Sequence, residues 1–305
     1  LKFDFLLPRL RERQRLFGLP GSSWADYDTG LISDGGGVFS RSMKSIPVSA
    51  QMRKALGIKA RTLSPADLIS ALLKAPVDML WNGGIGTYVK AAGETHDDVG
   101  DKSNDAVRID SHQLQCGVLG EGGNLGFTQL ARIGFARTGG AANTDFIDNV
   151  GGVDCSDNEV NIKILLNSVV NAGDLTVKQR NQLLYDMTDD VADLVIQDCY
   201  RQTLSMSITH QTGVGSLKEQ LRFVHGLERD GVLNRELEFI PSDDDLSERL
   251  TRGKGFTRPE LSVLISYGKM VLKEQLNIPE ITDNPYHAKL LLSAFPKVLQ
   301  DKFAA

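Results

Sequence analysis

The chain has 305 residues, with 34 Lys plus Arg against 39 Asp plus Glu, a formal charge of −5, and 41% hydrophobic and 24% charged residues. The length allows about two domains of ~150 residues, the composition is that of a chain able to bury a core rather than a disordered one, and the mild acidic balance argues against a bulk electrostatic grip on nucleic acid or an anionic membrane. The three cysteines, Cys116, Cys155 and Cys199, are widely spaced, match neither a zinc spacing nor a disulfide framework, and point to a reducing cytoplasm; the expectation for Cys155 is a buried, inert thiol.

In chain order, the opening LKFDFLLPRLRERQRLF is too charged for a secretory leader, and no apolar run approaches the ~20 residues that span a bilayer. The start at Leu1 suggests a piece of a longer polypeptide. Ser64-Pro65-Ala66-Asp67 is a helix start, with Ser as N-cap, Pro at the first helical position and an acid in the first turn; the helix ends before Pro76. Val77–Trp81 reads as a short strand ending on Asn82-Gly83-Gly84. Gln115–Leu119 reads as another, ending on Gly120-Glu121-Gly122-Gly123-Asn124, and Asn143–Ile147 as a third, ending on Asp148-Asn149. Helical segments between short apolar runs predict βα units and a mostly parallel sheet, whose ligands sit at the carboxyl ends of the strands.

Most of the 30 glycines precede residue 153, and the sequence then turns helical, which places a domain boundary near residues 165–175. Thr176, Ser216 and Thr257 each open an S/T-x-x-E/Q capping box. Leu183, Leu184, Met187, Val191, Leu194 and Val195 form a stripe of helical period, as do Leu261, Leu264, Ile265, Met270 and Leu272. Asn284-Pro285 opens a last helix closed by Pro296.

Glycine allows close approach to a ligand and asparagine supplies both donor and acceptor, so three Gly/Asn-rich strand ends suit a nucleotide, ribose or carboxamide. Each taken alone is more often a plain tight turn. Gly120, Gly122 and Leu125 miss the third glycine of G-x-G-x-x-G, and Gly253-Lys254-Gly255 lacks the hydroxyl residue of a P-loop. Ser156, near the start of a helix after Gly151-Gly152, could hold a carboxylate or be only a cap. The five histidines are scattered, Asp97, Asp98 and Asp101 lack Ca²⁺-loop spacing, and Asp243-Asp244-Asp245 reads as a solvated helix start.

Several long runs carry a resemblance. Ser22–Asp28, Leu31–Arg41, Val77–Lys90 with Glu94-Thr95-His96, Gly120–Leu166 and Phe256–Leu261 resemble the large bacterial NAD-specific glutamate dehydrogenases, over roughly residues 10 to 296. The resemblance implies the C-terminal portion of a much longer enzyme, its dinucleotide fingerprint and its catalytic lysine and aspartate lying before Leu1; no catalytic residue is assigned here, and neither Lys90 nor Lys163 has a motif match. It implies a partial NAD-binding, Rossmann-like domain over 1–168, an all-helical domain over 169–305, and no metal. A more distant similarity to the small glutamate dehydrogenases implies that Asn82, Gly83 and Gly84, Asn124, and Asn149 with Gly151 border the nicotinamide half of NAD, and that Ser156 binds a carboxylate of L-glutamate or 2-oxoglutarate. The implied activity is NAD-dependent oxidative deamination of L-glutamate to 2-oxoglutarate and ammonia by a cytoplasmic homo-oligomer, with the isolated chain inactive. The alternative is a non-catalytic helical module on a remnant nucleotide fold.

Overall fold

The computed structural model describes residues 6–303, so the first residues of the charged opening segment lie outside it. The chain forms two units, one from Leu1–Leu80 with Thr87–Gly117 and one from Trp81–Gly86 with Val118–Ala305, taken here over their described residues.

The first unit is made of short elements: α1 (Leu6–Phe17), β1 (Ile46–Pro47), α2 (Ala50–Leu56), β2 (Thr62–Leu63), α3 (Pro65–Leu73), the start of β3 (Met79–Asn82), β4 (Val89–Lys90), α4 (His96–Val99) and β5 (Ile109–Asp110). β1 and β2 pair antiparallel, while β4 and β5 pair parallel with Val89 opposite Ile109. α3 begins as its sequence predicts, the Ser64 hydroxyl accepting the Asp67 amide at 3.1 Å. Strands this short need another anchor, and the Arg108 guanidinium supplies one. It is wholly buried, donating to the Thr87 carbonyl at 2.8 Å and to Asp105 at 2.5 Å. Asp101 accepts from the Thr87 amide and from Asn104, contacts that hold its carboxyl below the usual range. Asp98 caps Thr95. The acidic cluster is thereby engaged in capping and ion pairing, and among the described residues no group of three or more His, Cys, Asp or Glu could hold a metal ion.

The second unit begins with the end of β3 and with β6 (Val118–Glu121), its strand neighbour, the Gly122 amide donating to the Asn82 carbonyl at 2.8 Å. Ala141 adds a single parallel bridge to Val118. Every later element is helical: α5 (Gln129–Arg137), α6 (Asp145–Asp148), α7 (Val150–Ala172), α8 (Val177–Asp186), α9 (Thr188–Thr212), α10 (Leu217–Arg229), α11 (Asp243–Thr251), α12 (Arg258–Leu276), α13 (Pro279–Thr282), α14 (Ala288–Ser293) and α15 (Lys297–Phe303). The architecture is thus mixed α/β with small parallel and antiparallel pairs, followed by an all-helical segment.

One core of this unit gathers Ile147, Met206, Val224, Leu246, Phe256, Leu261 and Leu264; another gathers Ile162, Leu166, Leu183, Met187 and Leu299. Each such side chain, fully buried, contributes roughly 1.5–3 kcal/mol. Glu260 has no exposed surface, yet it is fully engaged: it accepts from Arg249 at 2.8 and 2.9 Å and closes the capping box on Thr257 at 2.6 and 2.8 Å.

Several predicted elements shift. The third strand, Asn143–Ile147, is instead the turn of helix α6, because Asp145 and Asp148 spend their carboxylates on the distant backbone amides of Leu125 and Glu121 rather than leaving the segment to a ladder. The other two strands begin two and three residues later than predicted, at Met79 and Val118. The Thr176 and Thr257 boxes form, but Ser216 ends a 3-10 turn and makes no cap bond. The stripe from Leu183 breaks at Met187, between α8 and α9. Met270 and Leu272 at the far end of α12 are exposed, as are Leu290 and Leu291 of α14. Cys155 is exposed rather than buried. Among the described residues no helix is long and apolar enough to cross a membrane.

Candidate functional site

The sequence-predicted residues all lie in the second unit, and most of them converge. The strand end at Asn82 and the turn after β6 approach so closely that a Cβ on Gly123 would stand 2.8 Å from the Gly84 carbonyl oxygen, and one on Gly122 would meet the Trp81 ring at 2.9 Å. Glycine is required at both positions for this contact. Asn149 donates its side-chain amide to the Asn124 carbonyl oxygen at 2.5 Å, which joins the head of α7 to the same turn. That bond leaves the Asn124 amide protons and the Asn149 carbonyl oxygen with capacity to spare. The Asn82 Nδ2 is buried without a partner, close against Gly126.

The surroundings are open on one side. A Cβ on Gly84 or Gly152 would meet no atom within 4 Å, and Trp81, Ile85, Leu125 and Val153 are large exposed apolar side chains on these segments. Gly151 differs: a Cβ on it would meet Cys199 Sγ at 3.5 Å and Val195 Cγ1 at 3.6 Å, ordinary contact, so the first turn of α7 lies beside α9 with room for a methyl group. Ser156 is exposed and stands seven residues after Asn149, about 10 Å along the helix, rather than at its first turn. Asn149, Gly152 and Ser156 are spaced i, i+3, i+7 and share one face of α7. The Ser156 hydroxyl has no hydrogen-bond partner among the described residues.

What holds the turn after β6 is a buried ion cluster that the sequence reading missed. Glu121 and Arg132 are 1% and 4% exposed. Arg132 donates to both Glu121 oxygens, at 2.6 and 2.8 Å, and its guanidinium lies 3.4 Å from Asp145. Glu121 also accepts the Phe127 amide at 3.1 Å, and Asp145 accepts the amide of Leu125, a non-glycine residue at φ 56°. The two carboxylates therefore clamp the turn on either side of Asn124, and one arginine balances them. Burial pushes the Glu121 carboxyl above its usual range, with Arg132 pulling it back. Asp148 accepts from the Glu121 amide and from Asn143, which also takes a hydrogen bond from Arg258 at 2.9 Å. The missed signal was a pair of opposite charges, Glu121 and Arg132, inside segments otherwise apolar in pattern.

Comparison with known proteins gives the class and then the family. The description "Glutamate dehydrogenase, C-terminal" matches residues 253–305, and "Bacterial NAD-glutamate dehydrogenase, catalytic domain" matches residues 8–209. The chain is 58% identical over 292 residues to a protein named NAD-specific glutamate dehydrogenase from Pseudomonas aeruginosa, 54% identical over 292 residues to one of that name from Halomonas elongata, and 47% identical over 298 residues to one from Mycobacterium tuberculosis. In each case the match covers 96% of this chain and 18% of the relative. The chain belongs to the bacterial NAD-specific glutamate dehydrogenase family, and it spans about 18% of the length of these relatives.

Proposed function

We propose that this chain forms part of an enzyme that oxidatively deaminates L-glutamate with NAD, supplying the nicotinamide border of the cofactor site and one contact to the substrate. The observation that carries the reading is the convergence of Asn82-Gly83-Gly84, Gly122-Gly123-Asn124 and Asn149 on one open-faced turn cluster. Its chemistry fits a nicotinamide: spare amide donors and acceptors for a carboxamide or ribose, an unpartnered buried amide at Asn82, room beside Gly84, and apolar flanks for a ring.

In this reading Asn124 and Asn149 orient the carboxamide, Gly83 and Gly84 let the ring approach the backbone, and Gly151 borders the site from the first turn of α7. Ser156, on the same face of α7 as Asn149, donates to a substrate carboxylate. NAD, when bound, would supply the hydride acceptor for the α-carbon of glutamate, and the part of these residues is to place the nicotinamide and the substrate carboxylate. In the same reading, proton transfer is supplied by other parts of the intact enzyme, and the 305 residues alone would be inactive. We assign the nucleotide-binding role to residues 1–168 and the helical role to 169–305, in a cytoplasmic homo-oligomer.

The test is steady-state kinetics of the intact enzyme carrying Ser156→Ala. A KM for glutamate raised about threefold to tenfold, with the KM for NAD unchanged, fits the loss of one hydrogen bond to a charged group. An unchanged glutamate KM removes Ser156 from the site, and no glutamate-dependent NAD reduction by the unsubstituted enzyme ends the reading.

A further inference from the structure

The second unit contains another cavity, of about 720 Å³, with a different chemistry. It is bounded by the end of α5 and the segment up to Ala142, by the end of α9, and by the loop between α11 and α12. Ala141 bridges Val118, the first residue of β6, whereas the Asn124 turn follows the last. The cavity therefore opens at the end of this strand pair opposite to the asparagine cluster.

Its walls carry Arg137, Arg249, Arg252, Lys254 and Arg258 and no carboxylate, in a chain whose formal charge is −5. Two of these cations are neutralised from outside the cavity, Arg249 by Glu260 and Arg252 by Glu248. The other three are not. Arg258 donates to neutral acceptors, Asn143 at 2.9 Å and Ser207 at 3.3 Å, with Asp148 acting on it only through space from behind Asn143, and loss of water holds its half-buried guanidinium below its usual pKa. Arg137 and Lys254 form no ion pair with a carboxylate among the described residues, and Asp245 feels Arg137 only as the weakest of its neighbours. Burial and Arg258 together hold His210, on the same wall, below its ordinary pKa, so a neutral imidazole faces the cavity with a donor and an acceptor. Gly139 and Gly253 sit at φ 103° and 68°, which bends both loops around the mouth.

Three cations without a directly paired carboxylate among the described residues repel each other on one concave wall, and Asp148 and Asp245, which act on Arg258 and Arg137 only through space, offset this in part. A bound anion would offset the rest, and a cavity of this volume lies in the size range of small-molecule sites. Arg258 is already positioned by two hydrogen bonds, which lowers the ordering cost of binding. The Ala136, Ala142, Val214 and Phe256 surfaces between the cations suit a carbon frame rather than a bare inorganic ion.

We propose that the cavity ringed by Arg137, Lys254 and Arg258 is a binding site for a small organic polyanion, separate from the asparagine cluster. Phosphate and multiple carboxylate groups share the chemistry it reads, charge-assisted hydrogen bonds to guanidinium and ammonium.

Isothermal titration of the intact enzyme with pyrophosphate and with propane-1,2,3-tricarboxylate, at fixed ionic strength, tests this. Saturable binding of at least one probe is expected, and which probe binds more tightly tells phosphate from carboxylate recognition. The double variant Arg137→Ala/Lys254→Ala should weaken that binding at least tenfold, while Arg137→Lys/Lys254→Arg should restore most of it; both pairs are exposed, so folding is not at stake. Absence of binding by either probe, equal binding by the alanine variant, or displacement of the probe by NAD overturns the proposal, the last because the cavity would then belong to the cofactor.

Discussion

Replacing Arg132 with methionine removes the one cation that balances two carboxylates around the Asn124 turn. The side chain is 4% exposed and donates two hydrogen bonds to Glu121, itself 1% exposed, so the variant leaves a buried carboxylate whose only other donor among the described residues is the Phe127 amide. Removing one partner of a buried ion pair costs about 3–5 kcal/mol, and in a protein of this size that lowers Tm by roughly 5–8 °C. The deficit carries a pH signature. Burial already raises the Glu121 carboxyl, so the folded state binds its proton more tightly than the unfolded one, and stability falls as pH rises from the ordinary carboxylate pKa through the raised one. Without Arg132 that pKa rises further and the window extends upward. The variant should therefore recover part of its lost stability on acidification toward the upper carboxylate range, relative to the unsubstituted protein. Differential scanning calorimetry at several pH values reads both effects. A loss below about 1 kcal/mol, independent of pH, would refute the reasoning that Arg132 compensates Glu121.

Two glycines should respond in opposite directions. A Cβ at Gly126 would sit 1.9 Å from Asn82 Nδ2 and 3.1 Å from Glu121, so Gly126→Ala should cost about 1–3 kcal/mol by urea denaturation and displace Asn82. A Cβ at Gly152, inside α7, meets nothing within 4 Å, so Gly152→Ala should leave stability unchanged or raise it by up to about 1 kcal/mol. Cys155 is exposed, whereas burial pushes the Cys116 thiol up and burial with Asp154 and Asp198 does the same at Cys199. Iodoacetamide at pH 8, followed by peptide mass mapping, should label Cys155 first; equal labelling of Cys116 would contradict its burial.

Local signals in the sequence carried far. Ser64, Thr176 and Thr257 mark helix starts because a cap is a contact within four residues, readable without knowing the fold. The glycine–asparagine turns were legible as a set, through their resemblance to a family, more than through spacing. What was hidden depends on distant partners. Asn143–Ile147 has the residues of a strand end, and only the demands of the Leu125 and Glu121 amides, 20 and 27 positions away from their carboxylates, turn it into α6. Glu121 with Arg132, and Arg258 reaching Asn143 across 115 positions, pair charges and amides that no periodicity announces. Ser216 fails as a cap because the preceding Gly213–Ser216 turn sets its backbone near the helical region, where its hydroxyl cannot reach the amide ahead.

The central claim is that Asn124 and Asn149 act together on the cofactor. NAD binding to the intact enzyme, measured by fluorescence titration for Asn124→Ala, Asn149→Ala and the double variant, tests it most directly. The account predicts that each single change raises Kd about threefold to tenfold and that the double change costs less than their product, since the two amides share one hydrogen bond. An unchanged Kd in all three variants would contradict it.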